Sequence, residues 1–506
     1  MDKQSAPDEA RAAEATQPRM ATGNEGLDKV LNGGFPANRL YLVEGDPGTG
    51  KTTLALQFLL EGARRGEPVL YVTLSETKEE LTEVAHSHGW SLDGVTIYEL
   101  IAPEESLKTE TQYTIFHPSE VELGETTRAV IDEVERLQPR RAVFDSLSEM
   151  RLLARDPLRY RRQILALKQF FSGRQCTVLL LDDRTSTSGD LQVQSIAHGV
   201  LALEQMAMEY GAERRRLRVV KLRGSRYRGG FHDFNIQTGG IEVYPRLVAA
   251  DHRQAFVQES ISSSVPELDA LLGGGLDRGT STLVIGPAGC GKSSISAQFL
   301  ACAARRGEFS AAFLFDESAN IHMARAAGLG ADMRSHVEEG RIRIQQVDPA
   351  ELSPGEFAHR VRRVVETDGA RVVVIDSLNG YLQAMPDERF LTIHMHELLT
   401  YLNQQGVVTL VVMAQHGFMG DMATPVDVSY LADTVVMLRY FEARGAVRRA
   451  ISVVKKRTGF HEDTIRELRL SSKGIEVGAP LTKFHGVLTG VPTYVGENGS
   501  LSKEGD

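Results

Sequence analysis

Two glycine-rich stretches place a lysine and a hydroxyl at the spacing that cradles phosphate. Gly45-Asp46-Pro47-Gly48-Thr49-Gly50-Lys51-Thr52 fits G-x-x-x-x-G-K-[ST], and Gly286-Pro287-Ala288-Gly289-Cys290-Gly291-Lys292-Ser293 fits it again. The glycines of such a loop let successive backbone N–H groups converge on phosphate oxygens, and the following helix adds the favourable end of its dipole. Lys51 and Lys292 then reach the β- and γ-phosphates, while Thr52 and Ser293 offer a hydroxyl to Mg²⁺. Thr53 and Ser294 complete the stretches expected to touch the ligand. The chemistry implied is binding of ATP with Mg²⁺, twice in one chain.

A phosphate site also needs a carboxylate to hold the metal's water shell. Asp145 ends the apolar run Arg-Ala-Val-Phe-Asp, and Asp376 ends Arg-Val-Val-Val-Ile-Asp. An acid directly after a buried parallel strand lies at the carboxyl edge of the sheet, where open α/β sheets bind ligands. Hydrolysis further requires a group that orients or deprotonates water. Candidates are Glu76, preceded by Ser75, and the pair Asp316 and Glu317, each at the end of the strand after the P-loop helix. Late in each half, Lys221-Leu222-Arg223 and Lys455-Lys456-Arg457 set two cations on one face of a strand. Far along the chain from their own P-loops, they are suited to meet a neighbouring subunit's γ-phosphate in trans.

The elements that must position these groups come in duplicate. Gly33 and Gly274, Lys51 and Lys292, and Glu76 and Glu317 are all 241 positions apart. A constant offset of this kind means two domains of one fold. The reading is residues 21–249 and 250–490, with a polar joint near Ala249–Ser264, a disordered tail over 1–20 and a short flexible tail over 491–506. Short apolar runs predict strands over Leu40–Glu44, Val69–Leu74, Ala142–Phe144 and Thr177–Leu181, and over Ser281–Ile285, Ala311–Phe315, Val372–Ile375 and Val407–Met413. Helices follow the loops over Thr52–Arg65 and Ser293–Arg306, and antiparallel segments close each half at Leu217–Leu222 and Ala450–Lys455. The fold class is therefore α/β: two tandem P-loop NTPase domains of RecA type, each a mainly parallel sheet covered by helices.

The chain of 506 residues is 42% hydrophobic and 25% charged, the profile of an ordinary globular protein of two domains. A formal net charge of −10 argues against indiscriminate binding to nucleic acid or to an anionic membrane. Cys176, Cys290 and Cys302 are odd in number and scattered, which suits a reducing compartment. No run reads as a signal peptide or a membrane span, so the expected location is the cytoplasm.

Together these residues resemble the KaiC family of RecA-like ATPases, the group that includes the cyanobacterial circadian-clock protein. The resemblance spans roughly Thr22 to Tyr494. It rests on the Leu-Asp-x-x-Leu-x-Gly-Gly motif at the start of each half, the paired P-loops, the acid-ending strands and the Lys-x-Arg endings. The passage from Asp433 to Leu468 is the most specific. It implies a homohexamer of two stacked rings with ATP at each subunit interface, slow ATP hydrolysis, and Ser/Thr autokinase activity in the second domain. Carried over by position, Arg215, Lys221 and Arg223 touch ATP bound to a neighbouring first domain, and Arg449, Lys455 and Arg457 do so in the second ring. A signalling partner, such as a KaiB-like protein or a histidine kinase, is also implied.

Three departures qualify the resemblance. Clock members carry an acidic pair in both domains, with the first acid acting as base; here Ser75 stands at that place and leaves Glu76 alone. The adjacent phosphoacceptor pair reads Ser429-Tyr430, so Ser429 is the candidate acceptor. The stretch after Tyr494 is short and polar, without the segment that binds KaiA, which argues against KaiA as a partner. Two other functions share this fold. One is a RecA- or RadA-like DNA-dependent ATPase using Arg214–Arg216 and Arg223–Arg228. The other is a nucleotide-gated scaffold with little turnover.

Overall fold

A computed structural model describes residues 18–100, 118–154, 156–184, 192–208, 210–383, 388–415, 430–443, 445–488 and 493–495. The chain divides between Arg246 and Leu247 into two compact units. Each contains one nine-stranded sheet.

In the first unit the strands are β1 (Leu40–Gly45), β2 (Val69–Thr73), β3 (Val95–Glu99), β4 (Arg141–Asp145), β5 (Thr177–Asp183), β6 (Gly199–Met206), β7 (Arg214–Leu222), β8 (His232–Gln237) and β9 (Gly240–Tyr244). They lie in the order β3-β2-β4-β5-β1-β6-β7-β8-β9. The run from β3 to β6 is parallel, and β6 to β9 form an antiparallel extension.

The second unit repeats the pattern. Its strands are β10 (Ser281–Gly286), β11 (Ser310–Leu314), β12 (Ile342–Gln346), β13 (Val372–Asp376), β14 (Val408–Ala414), β15 (Thr434–Ala443), β16 (Ala446–Lys456), β17 (Arg466–Ser471) and β18 (Gly474–Pro480). Their order, β12-β11-β13-β14-β10-β15-β16-β17-β18, is the first sheet's strand for strand. The two units are thus tandem RecA-like P-loop domains.

The central strands are apolar throughout because both faces are covered. Along β4, Val143 joins one core cluster while Ala142 and Phe144 join the opposite one. Helix α1 (Lys51–Arg64) fills the first cluster with Leu54, Phe58 and Leu59. The helix Pro157–Phe171 covers the other face with Tyr160, Ile164, Leu167 and Phe171, a spacing that returns to one side of a helix. In the second unit α3 (Lys292–Arg305) takes the place of α1.

Sequence patterning missed several strands. The edge strands β3 and β12 are only half-buried, so their apolar runs are diluted by polar residues. Of the antiparallel extension, sequence patterning finds β7 (as Leu217–Leu222) but not β8 and β9, which alternate between faces and carry charge, as strands with a solvated side do.

One buried cation belongs to the first unit's core. Arg141, fully buried at the start of β4, donates to Glu67 (2.5 Å) and to the carbonyls of Ala21 (2.7 Å) and Phe58 (2.8 Å). Gly62 makes room for it, since a Cβ there would lie 2.6 Å from Arg141 Cδ. The second unit has Val372 at this strand position. Removing one partner of such a pair strands the others and costs about 3 kcal/mol or more. Arg141→Ala is expected to destabilise the first unit by that amount. Urea unfolding followed by Trp90 fluorescence, the chain's one tryptophan, reads this unit directly.

Candidate nucleotide sites

Both phosphate loops join the end of a central strand to a helix whose N-cap is a glycine in the left-handed region, Gly50 (φ 94°) and Gly291 (φ 109°). A side chain there would be strained by its backbone. It would also strike Ile236 Cδ1 at 2.7 Å or Leu470 Cδ1 at 2.9 Å. The antiparallel extension therefore forms the back wall of each loop.

Strand register delivers the polar groups. In the first unit Thr52 Oγ1 donates to Asp145 Oδ2 at 3.1 Å, and Tyr71 OH donates to the same oxygen at 2.5 Å. Burial raises the Asp145 pKa despite these two donors. In the second unit Ser293 hydrogen-bonds Asp376, whose pKa is likewise raised by burial. Asp376 Oδ2 is buried without a hydrogen-bond partner among the described residues. A hydroxyl beside a carboxylate oxygen is a hard-donor pair that fits Mg²⁺, and the orphaned Oδ2 fits the metal's water shell. Both aspartates precede a serine, Ser146 or Ser377, across a cis peptide bond.

The two lysines meet different surroundings. Lys51 is buried, donates to the carbonyls of Gly45 (2.9 Å) and Asp46 (3.0 Å), and forms an ion pair with Asp183 at 2.7 Å. Asp183 lies directly opposite Gly45 in the sheet, where the second unit has Ala414 opposite Gly286. Lys292, equally buried, donates to Pro287 O (2.8 Å). Burial lowers its pKa against the opposing charges of Cys290, Asp376 and Asp316. Thr49 and Cys290 occupy matching loop positions; Thr49 Oγ1 donates to Asp46 O (2.8 Å), and Cys290 is buried.

The acids after β2 and β11 also diverge. Glu76 Oε2 is buried with no hydrogen-bond partner among the described residues. Burial, then the charges of Asp145, Glu80 and Asp183, raise its pKa to about 7 against the opposing pull of Lys51. Glu317 is gripped on both oxygens by Arg325 (2.6 and 2.5 Å) and accepts from His322 Nδ1 (2.8 Å). Burial acts upward on Glu317, yet the His322 and Arg325 contacts bring its pKa down to about 2. Asp316 turns elsewhere and accepts from Ser377 Oγ. Ligand-capable atoms of Glu317, His322 and Asp376 lie within 4.8 Å of one another.

The late cations reach carbonyls ahead of the equivalent strand in each unit. Lys221 donates to Gln194 O and Arg223 to Ser195 O (2.9 Å), carbonyls of the short helix Gln192–Ile196 that precedes β6. Lys455 donates to Ala432 O (2.7 Å) and Arg457 to Tyr430 O (2.9 Å), carbonyls of the turn before β15. Arg215 pairs with Glu213 at 2.9 Å, and Arg449 lies over the Tyr440 ring. Sequence reasoning missed Asp183, His322 and Arg325. The acidic pair ending the apolar run of β5 was a signal for the first; the other two gave none. Ser429 lies outside the described residues.

This duplicated geometry has counterparts. The family model described as ATPase: KaiC matches residues 20–248 and 261–482, most of the chain. The chain belongs to the KaiC ATPase family. Curated relatives align nearly end to end with this KaiC-family chain. Circadian clock protein KaiC3 of Synechocystis sp. is 25% identical over 490 residues, covering 95% of each chain. The circadian clock oscillator proteins KaiC of Picosynechococcus sp. and Synechococcus elongatus are each 27% identical, covering 95% and 96% of this chain and 93% and 94% of their own. No helix among the described residues is long and apolar enough to cross a membrane.

The raised Glu76 pKa has a consequence for stability. Its unfolded value, near 4.5, lies below its folded value, near 7. The associated stability is fully present below pH 4.5 and is lost as pH rises through 7. Glu76→Gln is expected to raise the Tm of the first unit by about 2–4 °C at pH 8, a shift discounted for partial exposure. At pH 4.5 the two proteins should melt together by Trp90 fluorescence.

Proposed function

We propose that the chain binds Mg-ATP at Gly45–Thr53 and Gly286–Ser294 and hydrolyses it at both sites. The observation that carries this reading is the repeated convergence of a P-loop lysine, a helix-leading hydroxyl and a strand-ending aspartate, Lys51–Thr52–Asp145 and Lys292–Ser293–Asp376. Bound magnesium would neutralise charge on the β- and γ-phosphates, with Thr52 and Asp145, or Ser293 and Asp376, holding it and its water shell. Lys51 and Lys292 bind and orient the phosphates. In the first domain Glu76 accepts a proton from water as its oxygen bonds to γ-phosphorus and the bond to ADP breaks. A carboxylate with an unpartnered oxygen and a pKa near 7 suits that task. In the second domain Asp316, oriented by Ser377, takes the same part.

The likeness to clock proteins supports a homohexamer with ATP at subunit interfaces. Arg215, Lys221, Arg223, Arg449, Lys455 and Arg457 would reach a neighbour's nucleotide there. It also supports autophosphorylation in the second domain, with Ser429 as acceptor. Phosphate at Ser429 would add about two negative charges, enough to reset contacts with a signalling partner such as a KaiB-like protein or a histidine kinase.

Phosphate release is expected from wild-type protein and to be lost in Lys51→Ala/Lys292→Ala. With only the first site active (Lys292→Ala), the rate should rise with pH through about 7, because Glu76 must be deprotonated to act. Glu76→Gln should lower it by about a hundredfold and flatten the profile. Label transfer from ATP that survives Ser429→Ala would reject that acceptor. Native mass measurement with and without Mg-ATP tests the ring.

A further inference from the structure

Helices α2 (Lys78–Ser87) and α4 (Ala319–Gly328) are the same element in the two units and begin at the same point relative to the site. Thr77 caps one and Ser318 the other. Leu81 N donates to Thr77 O, and His322 N to Ser318 O, so Leu81 and His322 hold equivalent backbone positions. Val84 and Arg325 follow three residues later in each. Two apolar residues in the first unit are thus replaced by two nitrogen donors in the second. Leu81 goes into the core. His322, though fully buried, is turned to Glu317, and Arg325 closes over both oxygens of that carboxylate.

The neighbouring acid has its own seat. Gly380 stands beneath it: a Cβ there would lie 2.3 Å from Phe315 Cβ and 3.0 Å from Asp316 Oδ1. Ser377 donates to Asp316 from the same turn, and the charge of Asp316 is felt at Lys292. In the first unit the residue in the place of Gly380, four after the strand-ending aspartate, is Glu149, and the acid in the place of Asp316 is Ser75.

We infer that His322 and Arg325 are positioning residues of the second site: Glu317 lies beside Asp376, but its two oxygens are taken up by Arg325 and His322, so that Asp316 rather than Glu317 receives the proton from water. Leu81 and Val84 impose no such hold, and Glu76 is left free for the same task in the first site. The inference rests on the ATPase reading above. It assigns the two sites bases from different chain positions.

Release of the hold should transfer the role. With the second site isolated by Lys51→Ala, Asp316→Asn should abolish phosphate release. Adding His322→Leu and Arg325→Val, the first unit's own residues, should restore it by at least about tenfold, and Glu317→Gln should remove that gain. A purely structural role for Arg325 yields no such rescue. Release that stays at the Asp316→Asn level while a fluorescent ATP analogue still binds would overturn the inference.

The reverse transfer does not depend on the multiple variant folding. In Lys292→Ala protein, Val84→Arg should lower kcat by about a hundredfold, as Glu76→Gln does, with KM unchanged, and Glu76→Gln should add no further loss. A rate within about twofold of its parent overturns the inference as well. Wild-type turnover that does not need Lys51 or Lys292 would instead remove the ATPase reading itself.

Discussion

A lysine ammonium buried at the carboxyl edge of a parallel sheet must be surrounded by oxygen, because an uncompensated charge there costs several kcal/mol. Both Lys51 and Lys292 are in that position. The sheet order puts β1 and β10 between their neighbours so that strand ends and loop carbonyls converge on them. The helices α1 and α3 can start beside the lysines only because Gly50 and Gly291 accept left-handed backbone. The hydroxyls next to the lysines then fall against Asp145 and Asp376. Phosphate binding is the natural completion of this arrangement: it supplies, in one ligand, the anionic oxygens toward which the loop amides and the ammonium are already directed.

Duplication kept that frame and let its occupants drift. The strand orders match throughout, yet the charge around each lysine differs. The first site is rich in carboxylate: Asp183 is paired to Lys51, and Glu76 is held in a field of like charges. The second site is leaner, with Ala414 in place of Asp183 and Glu317 already neutralised by its own helix. One pair of residues on that helix, His322 and Arg325 against Leu81 and Val84, is enough to turn a free acid into a bound one. Equivalent positions in a repeat thus carry equivalent backbone and inequivalent chemistry.

The parts legible in sequence are those fixed by backbone demands. Glycine spacing, the lysine and hydroxyl after it, and an acid closing an apolar run all follow from geometry that few residues can satisfy, and they were readable twice at one offset. The half-buried strands β3 and β12 and most of the antiparallel extension beyond Leu217–Leu222 and Ala450–Lys455 were not, because their patterning is set by which face another element covers. Side-chain pairing was hidden for a related reason. Lys51 meets Asp183 through the register of two strands separated by most of the domain. Glu317 and Arg325 are near in sequence, but an acid and a base eight residues apart are common and say nothing until the turn between them is known. Asp316 and Glu317 looked interchangeable as neighbours, but they lie in the bend after β11 and bond different partners, Ser377 and Arg325.

The contact between Gly50 and Ile236 makes the minimal foldable piece of the first unit longer than its ligand-binding residues suggest. A fragment ending after β6 would contain every phosphate ligand of its own loop and yet leave that loop open at the rear, with Ile236 and Ile241 missing. Recombination or splitting of such a chain can therefore preserve the loop only at junctions beyond β9, and in the second unit only beyond β17, where Leu468 and Leu470 stand behind Gly291. The repeat is inherited as a whole because its first motif is braced by its last strands.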